Sequence, residues 1–205
     1  MPVVQADGFS WLIDEAGVDG QLGPNNHEES LAEWFACDGG VFLDIGADVG
    51  RWSIRVAATA QHVYAVEPYG PRRERIRHNC ALNDVTNVTL MACGAWDDWS
   101  FGSLGRTGHV GDAGDSVPLV PFDDVLDPLR LDLVKIDVEG HEAKAISGMA
   151  GLLTRHKPRI VLELHDRLYG EAVKTDTFAM LDKVGYTPRL VDTLGGQDYY
   201  VCEAG

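Results

Sequence analysis

The chain has 205 residues, 45% of them hydrophobic and 24% charged, which suits one folded domain with a small appendage and excludes wholesale disorder. With 17 basic against 32 acidic residues the net charge is −15, so a phosphate backbone or an anionic lipid surface would be repelled. No run approaches the roughly 18 uncharged apolar residues of a bilayer span. The first 20 residues carry Asp7, Asp14, Glu15 and Asp19, one short apolar patch at Phe9–Ile13, and no Lys, Arg or signal-type apolar core; no signal peptide is expected, and the expected location is the cytoplasm. Cys37, Cys80, Cys93 and Cys202 lack the spacing of a metal knuckle or redox pair and read as reduced, mostly buried thiols.

Along the chain, residues 1–27 read as a short edge strand or hairpin and a loop. Glu28 to Asp38 reads as a helix, with Leu31, Trp34 and Phe35 on one face. Residues 1–38 are therefore expected as an N-terminal extension with a first helix, and 39–205 as the core. In the core, Val41–Ile45, His62–Val66, Val88–Ala92, Leu131–Ile136 and Arg159–Leu164 are apolar runs. Amphipathic segments separate them, among them Pro71–Leu82 and a helix holding Ile146, Met149, Ala150 and Leu153. This is the pattern of a doubly wound α/β domain whose parallel sheet is covered on both faces. Residues 94–125, with six glycines, read as loop. Asp176–Val184 reads as helix, and Thr187–Val191 and Tyr199–Glu203 as a hairpin closed by Gly195-Gly196.

The first strand ends in Asp44-Ile-Gly46-Ala47-Asp48-Val-Gly50, at the turn where open sheets bind nucleotides. Its amides are expected to be free and outward-pointing. The spacing is not the G-x-G-x-x-G of a dinucleotide site, and acids at 44 and 48 oppose a pyrophosphate. They suit a cationic ligand such as S-adenosylmethionine. Glu67, 21 residues after Gly46 and at the end of the second strand, is placed to accept ribose hydroxyls. Arg72, Arg73, Arg75 and Arg77 behind it read as a solvated face.

The fourth strand runs into Lys135-Ile-Asp137-Val-Glu139-Gly-His141-Glu142. Asp137 is expected at the carboxyl edge of the sheet, beside the cofactor crevice, with Glu139, His141 and Glu142 at a helix start. Ala145 excludes an H-E-x-x-H zinc motif, and no D/N-P-P-Y amino-methylation motif is present.

Taken in order, V-F-L-D-I-G-A-D-V-G, A-V-E-P, N-x-x-L-N (Asn79 to Asn83) and L-V-K-I-D-V-E-G-H-E resemble the FkbM-type family of S-adenosylmethionine-dependent class I methyltransferases. The resemblance covers residues 40–165. It implies a Rossmann-like, mostly parallel sheet of about seven strands, in the order 3-2-1-4-5-7-6 with a C-terminal antiparallel hairpin. It also implies O-methylation of sugars or secondary metabolites. On it, Asp44, Gly46, Ala47, Asp48 and Gly50 form the methionine-side loop. Glu67, with Pro68 beside it, holds the ribose. Asp137, Glu139 and His141 lie at the active-site rim, Asp137 also against the cofactor.

An alcohol acceptor must lose its proton to a base or beside a metal. The candidates are Asp137, Glu139, His141 and His165, the last just past the fifth strand. No metal site is assigned, although a divalent ion bridging Asp137 with His165 or Asp166 remains open. The expected partner is a small-molecule hydroxyl substrate, not nucleic acid or membrane; a homodimer is also open. Trp96, Trp99 and Phe101 are candidates for an apolar pocket wall. The competing readings are a catalytically silent S-adenosylmethionine-binding partner subunit and an NAD-dependent oxidoreductase.

Overall fold

The apolar runs form five parallel strands: β1 (Val41–Ile45), β2 (His62–Val66), β3 (Val88–Met91), β4 (Leu133–Ile136) and β5 (Arg159–Leu164). They are seen in a computed structural model that describes residues 3–12, 27–105, 110–111 and 114–205. β6 (Tyr186–Leu194) and β7 (Gln197–Ala204) make the closing hairpin, and β7 pairs antiparallel with β5. The seven-stranded sheet has the order β3-β2-β1-β4-β5-β7-β6, the expected 3-2-1-4-5-7-6.

The longer helices are α1 (Arg51–Ala57), α2 (Gly70–Leu82), α3 (Glu142–Ser147), α4 (Ala150–His156) and α5 (Glu171–Lys183). Proline opens α2, where its missing N–H has no helical partner to lose. The single helix expected around 146–153 is two. Asp123 accepts the Gly151 and Leu152 N–H groups, both at 2.7 Å, and so caps the start of α4.

Alternation along β1 divides the core. Val41, Leu43 and Ile45 pack with Ile146, Leu152, Leu153 and Leu181 of α3–α5 and with Met149 between α3 and α4. Phe42 faces the other way, into a cluster with Leu31, Phe35, Trp52 and Val56. Phe35 stacks on Trp52 with ring centroids 3.7 Å apart. Asp44, two residues after Phe42, shares that second face, which is how a carboxylate enters the interior beside α1.

Two further expectations need correction. Glu28–Asp38 is a 3-10 helix over His27–Phe35, with Leu31 and Phe35 buried. Residues 94–125 are not merely loop. Gly94–Ala95, Asp115–Val120 and Ser100–Leu104 make a small three-stranded sheet, in which Val117 and Leu119 are buried and the intervening Pro118 is exposed. Cys37, Cys93 and Cys202 are buried and Cys80 half-buried, all as free thiols. At the N-terminus the apolar patch is a hairpin of Val3–Ala6 and Phe9–Leu12. The rest of the loop expected there, residues 13–26, lies outside the described residues. Among the described residues, no helix is long and apolar enough to cross a membrane.

Candidate active site

The turn after β1 is pressed against the end of β4. A Cβ on Gly46 would stand 1.8 Å from the Asp137 carbonyl oxygen, and its φ is +78°. Only glycine fits both conditions. Gly50, at φ +85°, precedes α1 and backs onto Ile76.

The amides of this turn are not free, contrary to expectation. Gly46 and Ala47 N–H both donate to the Val66 carbonyl at 3.1 and 3.0 Å, and Gly50 N–H donates to Ala47 at 2.7 Å. Asp48 N–H donates to Glu67 Oε2 at 3.0 Å. A phosphate cradle needs such donors unoccupied, and these four are taken.

Asn79 of α2 explains part of the N-x-x-L-N motif. Its Nδ2 donates to the Val49 carbonyl at 3.0 Å, and its Oδ1 accepts the Leu12 N–H at 2.8 Å. Asn83 accepts the Ser10 N–H at 2.7 Å. The two amides fasten the N-terminal hairpin to α2, and Asn79 also holds the turn.

Glu67 is 2% exposed. Its second oxygen accepts the Tyr69 N–H at 2.7 Å. Burial raises its pKa to about 7, against the stabilising Tyr69 hydrogen bond and the Arg72 charge. The arginine face after β2 is not wholly solvated. Arg72 Nε lies 2.7 Å from Asp48 Oδ1, and Arg73 donates to the carbonyls of Glu67 and Pro68. Asp48 thus meets the cleft as half of an ion pair.

Parallel register builds a charged row along the sheet edge. Asp44 stands opposite Lys135, and Leu162 opposite Ile136. Lys135 Nζ donates to the Gly46 carbonyl at 2.8 Å and to Asp137 Oδ2 at 3.0 Å, and lies 3.7 Å from Asp44 Oδ1. Burial works against its charge, but Asp137, Asp44 and Glu163 outweigh this and hold its pKa above the usual lysine range. Asp44 is fully buried and accepts the Ser53 hydroxyl at 2.5 Å. Burial pushes its pKa up, opposed by Lys135.

His165 follows β5 and is 3% exposed. Its Nδ1 is 3.1 Å from Oε1 of the fully buried Glu142. Its Nε2 faces Glu139, Glu163 and Asp137 oxygens at 3.4, 3.6 and 3.7 Å. Burial disfavours the imidazolium, but the Glu142 bond and the surrounding carboxylates prevail, and its pKa rises to about 9.

A cleft of about 180 Å³ brings most of the sequence candidates together: Asp44, Gly46, Ala47, Asp48, Glu67, Pro68, Asp137, Glu139 and His141 all line it. Gly50 and His165 sit behind this lining. Trp96 lines the cleft too, its ring centroid 4.7 Å from that of His141. Trp99 and Phe101 do not; they are 58% and 78% exposed, and Trp99 donates to Asp124. Asp166 is turned toward Lys174, at 3.9 Å. Sequence reasoning missed Lys135, Glu163 and the orienting contact of Glu142. The available signal was a charged residue inside an otherwise apolar strand, in Leu-Val-Lys-Ile and Ile-Val-Leu-Glu-Leu.

Comparison with known proteins matches residues 44–188 to the methyltransferase FkbM domain. Methyltransferase FkbM of Methylobacillus flagellatus is 20% identical, with a TM-score of 0.61 over 82% of this chain and 44% of its own. This chain therefore spans less than half of that protein. The precorrin-6Y C5,15-methyltransferase of Geobacter metallireducens is 18% identical, with a TM-score of 0.58 over 95% of this chain and 94% of its own. M. jannaschii TYW2, solved with AdoMet, is 17% identical, with a TM-score of 0.59 over 98% of this chain and 84% of its own. These likenesses show a common fold. No curated protein matches the chain. The family match spans well over half of the sequence and includes the glycine turn, Glu67 and the strand-edge acids: the chain belongs to the FkbM methyltransferase family.

Proposed function

We propose that the chain is an S-adenosylmethionine-dependent methyltransferase acting on the hydroxyl of a small molecule, a sugar or secondary metabolite. The observation that carries this reading is the hydrogen-bonding of the β1–α1 turn. Its Gly46, Ala47, Asp48 and Gly50 amides are all engaged within the fold, so none of these four is offered to a pyrophosphate. A ligand bound there must instead meet carboxylates, as an ammonium, a sulfonium and ribose hydroxyls do.

Glu67 receives one backbone N–H on each oxygen; a carboxylate has about four acceptor sites, so lone pairs remain for ribose hydroxyls. The buried Lys135 holds Asp137 in place while bonding the Gly46 carbonyl. That joins the cofactor loop to the end of β4 and fixes the donor side relative to the acceptor side. Bound S-adenosylmethionine supplies an electrophilic methyl on sulfur. Transfer is an in-line displacement, so alignment of the acceptor oxygen supplies much of the rate. The O–C bond forms as the S–C bond breaks, giving a methyl ether and S-adenosylhomocysteine. The hydroxyl proton passes to Asp137 or Glu139, the carboxylates on the cleft wall nearest His165. His141 against Trp96 shapes the same wall. The acidic cleft in a chain of net charge −15 disfavours a nucleic-acid acceptor.

The test is incubation with methyl-labelled S-adenosylmethionine and a panel of hydroxylated sugars and aglycones. Label recovered as an alkali-stable methyl ether supports the proposal. Cofactor binding with no transfer across the panel overturns its catalytic part and favours a silent cofactor-binding subunit.

A further inference from the structure

The side chains around His165 are more acidic than transfer of one proton requires. Glu163 and His165 lie two residues apart on β5 and its extension, on one face of the sheet. The register of β5 against β4 brings Asp137 beside them. One ligand-type atom from each of Asp137, Glu163 and His165 lies within 4.8 Å of the others. Glu139 reaches the same place from the loop before α3.

The geometry points to a divalent transition-metal site formed by Asp137, Glu163 and His165, with Glu139 as a fourth ligand. His165 Nε2 belongs to a side chain that is nearly all buried, yet it stands 3.4–3.7 Å from three carboxylate oxygens. These gaps are long for hydrogen bonds. They fit ligands that share an ion: atoms about 2.1 Å from a cation at tetrahedral angles stand roughly 3.4 Å apart. The other ring nitrogen is held by Glu142, whose buried Oε1 lies 3.1 Å from Nδ1 and also accepts the Gly140 N–H at 3.0 Å. A carboxylate behind a histidine is the arrangement that fixes the tautomer and turns the free nitrogen toward a metal. Charge agrees. Three carboxylates converge on one imidazole, while Lys135, the neighbouring cation, is already 3.0 Å from the other oxygen of Asp137.

One imidazole with carboxylates suits manganese, iron or zinc better than a soft, thiolate-seeking ion. Asp137 and Glu139 also line the cleft, so an ion among them has an open side toward an acceptor. There it would lower the pKa of a bound hydroxyl. This use rests on the proposed function; metal binding itself does not.

The test is titration of chelator-stripped full-length protein with Mn²⁺ alone, reading free ion by electron paramagnetic resonance. S-adenosylhomocysteine is titrated in parallel by calorimetry. The expected result is saturable uptake of about one ion per chain, weakened at least tenfold in Glu163→Gln and about 10- to 100-fold in Glu142→Gln. Both variants should retain S-adenosylhomocysteine binding, which reports an intact fold. Asp137→Asn serves as a further ligand variant should either fail to fold. Absence of saturable uptake by wild-type protein that still binds S-adenosylhomocysteine overturns the metal site. So does uptake indifferent to Glu163→Gln or Asp137→Asn in folded protein. Loss of S-adenosylhomocysteine binding alone, with Mn²⁺ uptake intact, contradicts the cofactor reading instead.

Discussion

The two halves of the cleft are built differently. On the side proposed for the cofactor, at the ends of β1 and β2, much of the polar network is backbone: Val66 takes two amides of the turn, and Glu67 takes two more from Asp48 and Tyr69. On the acceptor side, at the ends of β4 and β5, the network is side chain to side chain, with Asp137, Glu139, Glu163 and Glu142 around His165. The backbone bonds of the first half can only be shifted by moving the chain. The second can be retuned by a proton, an ion or one substitution.

The sharpest way to break this contrast is to strike each half once. Asp137→Ala should lower turnover by roughly 10²–10⁴-fold, the usual weight of an acid–base group. Binding of S-adenosylhomocysteine, measured by calorimetry, should change little. Normal turnover in that variant removes Asp137 from the chemistry. Gly46→Ala strikes the other half, driving a Cβ to 1.8 Å from the Asp137 carbonyl at a left-handed φ. A loss of roughly 3 kcal/mol or more is expected in denaturant unfolding, along with loss of cofactor binding.

A smaller effect is expected from pH. Ribose hydroxyls donate to an ionised carboxylate, and burial holds the Glu67 pKa at about 7. Below that pH a proton must leave before the ligand binds. Affinity for S-adenosylhomocysteine should therefore rise by up to about tenfold per unit as pH climbs toward 7, then level off. In Glu67→Gln binding should be weaker and flat with pH; an unchanged slope would remove Glu67 from ribose recognition.

Smaller again is Asn79→Ala, which leaves the Leu12 N–H and the Val49 carbonyl without their partner. About 1–3 kcal/mol of stability should be lost. At the bottom of the scale, Arg77→Ala removes an exposed pair with Glu74 and should leave both the melting temperature and cofactor affinity unchanged within error.

The same contrast governs what could be read from sequence. β1, β2 and β5 were legible to the residue because a strand buried on both faces is a continuous apolar run. Asp44, Gly46 and Glu67 were legible because a turn at a strand end fixes them locally. The small sheet within 94–125 was not, since two of its strands carry a glycine, the third carries Pro118, and much of it is exposed. Glu163 was missed because its meaning depends on the register of β5 against β4, which brings it beside Asp137 from 26 residues away. The amides of Gly46, Ala47 and Asp48 were misread as free for a similar reason: their acceptors are the carbonyl of Val66, in the next strand, and the carboxylate of Glu67. Arg72 looked solvated because Asp48, its partner, is remote in sequence.

The central claim is that the β1–α1 turn and Glu67 form a site for a nucleoside cofactor without a pyrophosphate. Parallel calorimetric titrations of the wild-type chain with S-adenosylhomocysteine and with NAD⁺ test it most directly. Saturable 1:1 binding of S-adenosylhomocysteine with none of NAD⁺ is the predicted result. Binding of NAD⁺ in preference to S-adenosylhomocysteine would contradict it.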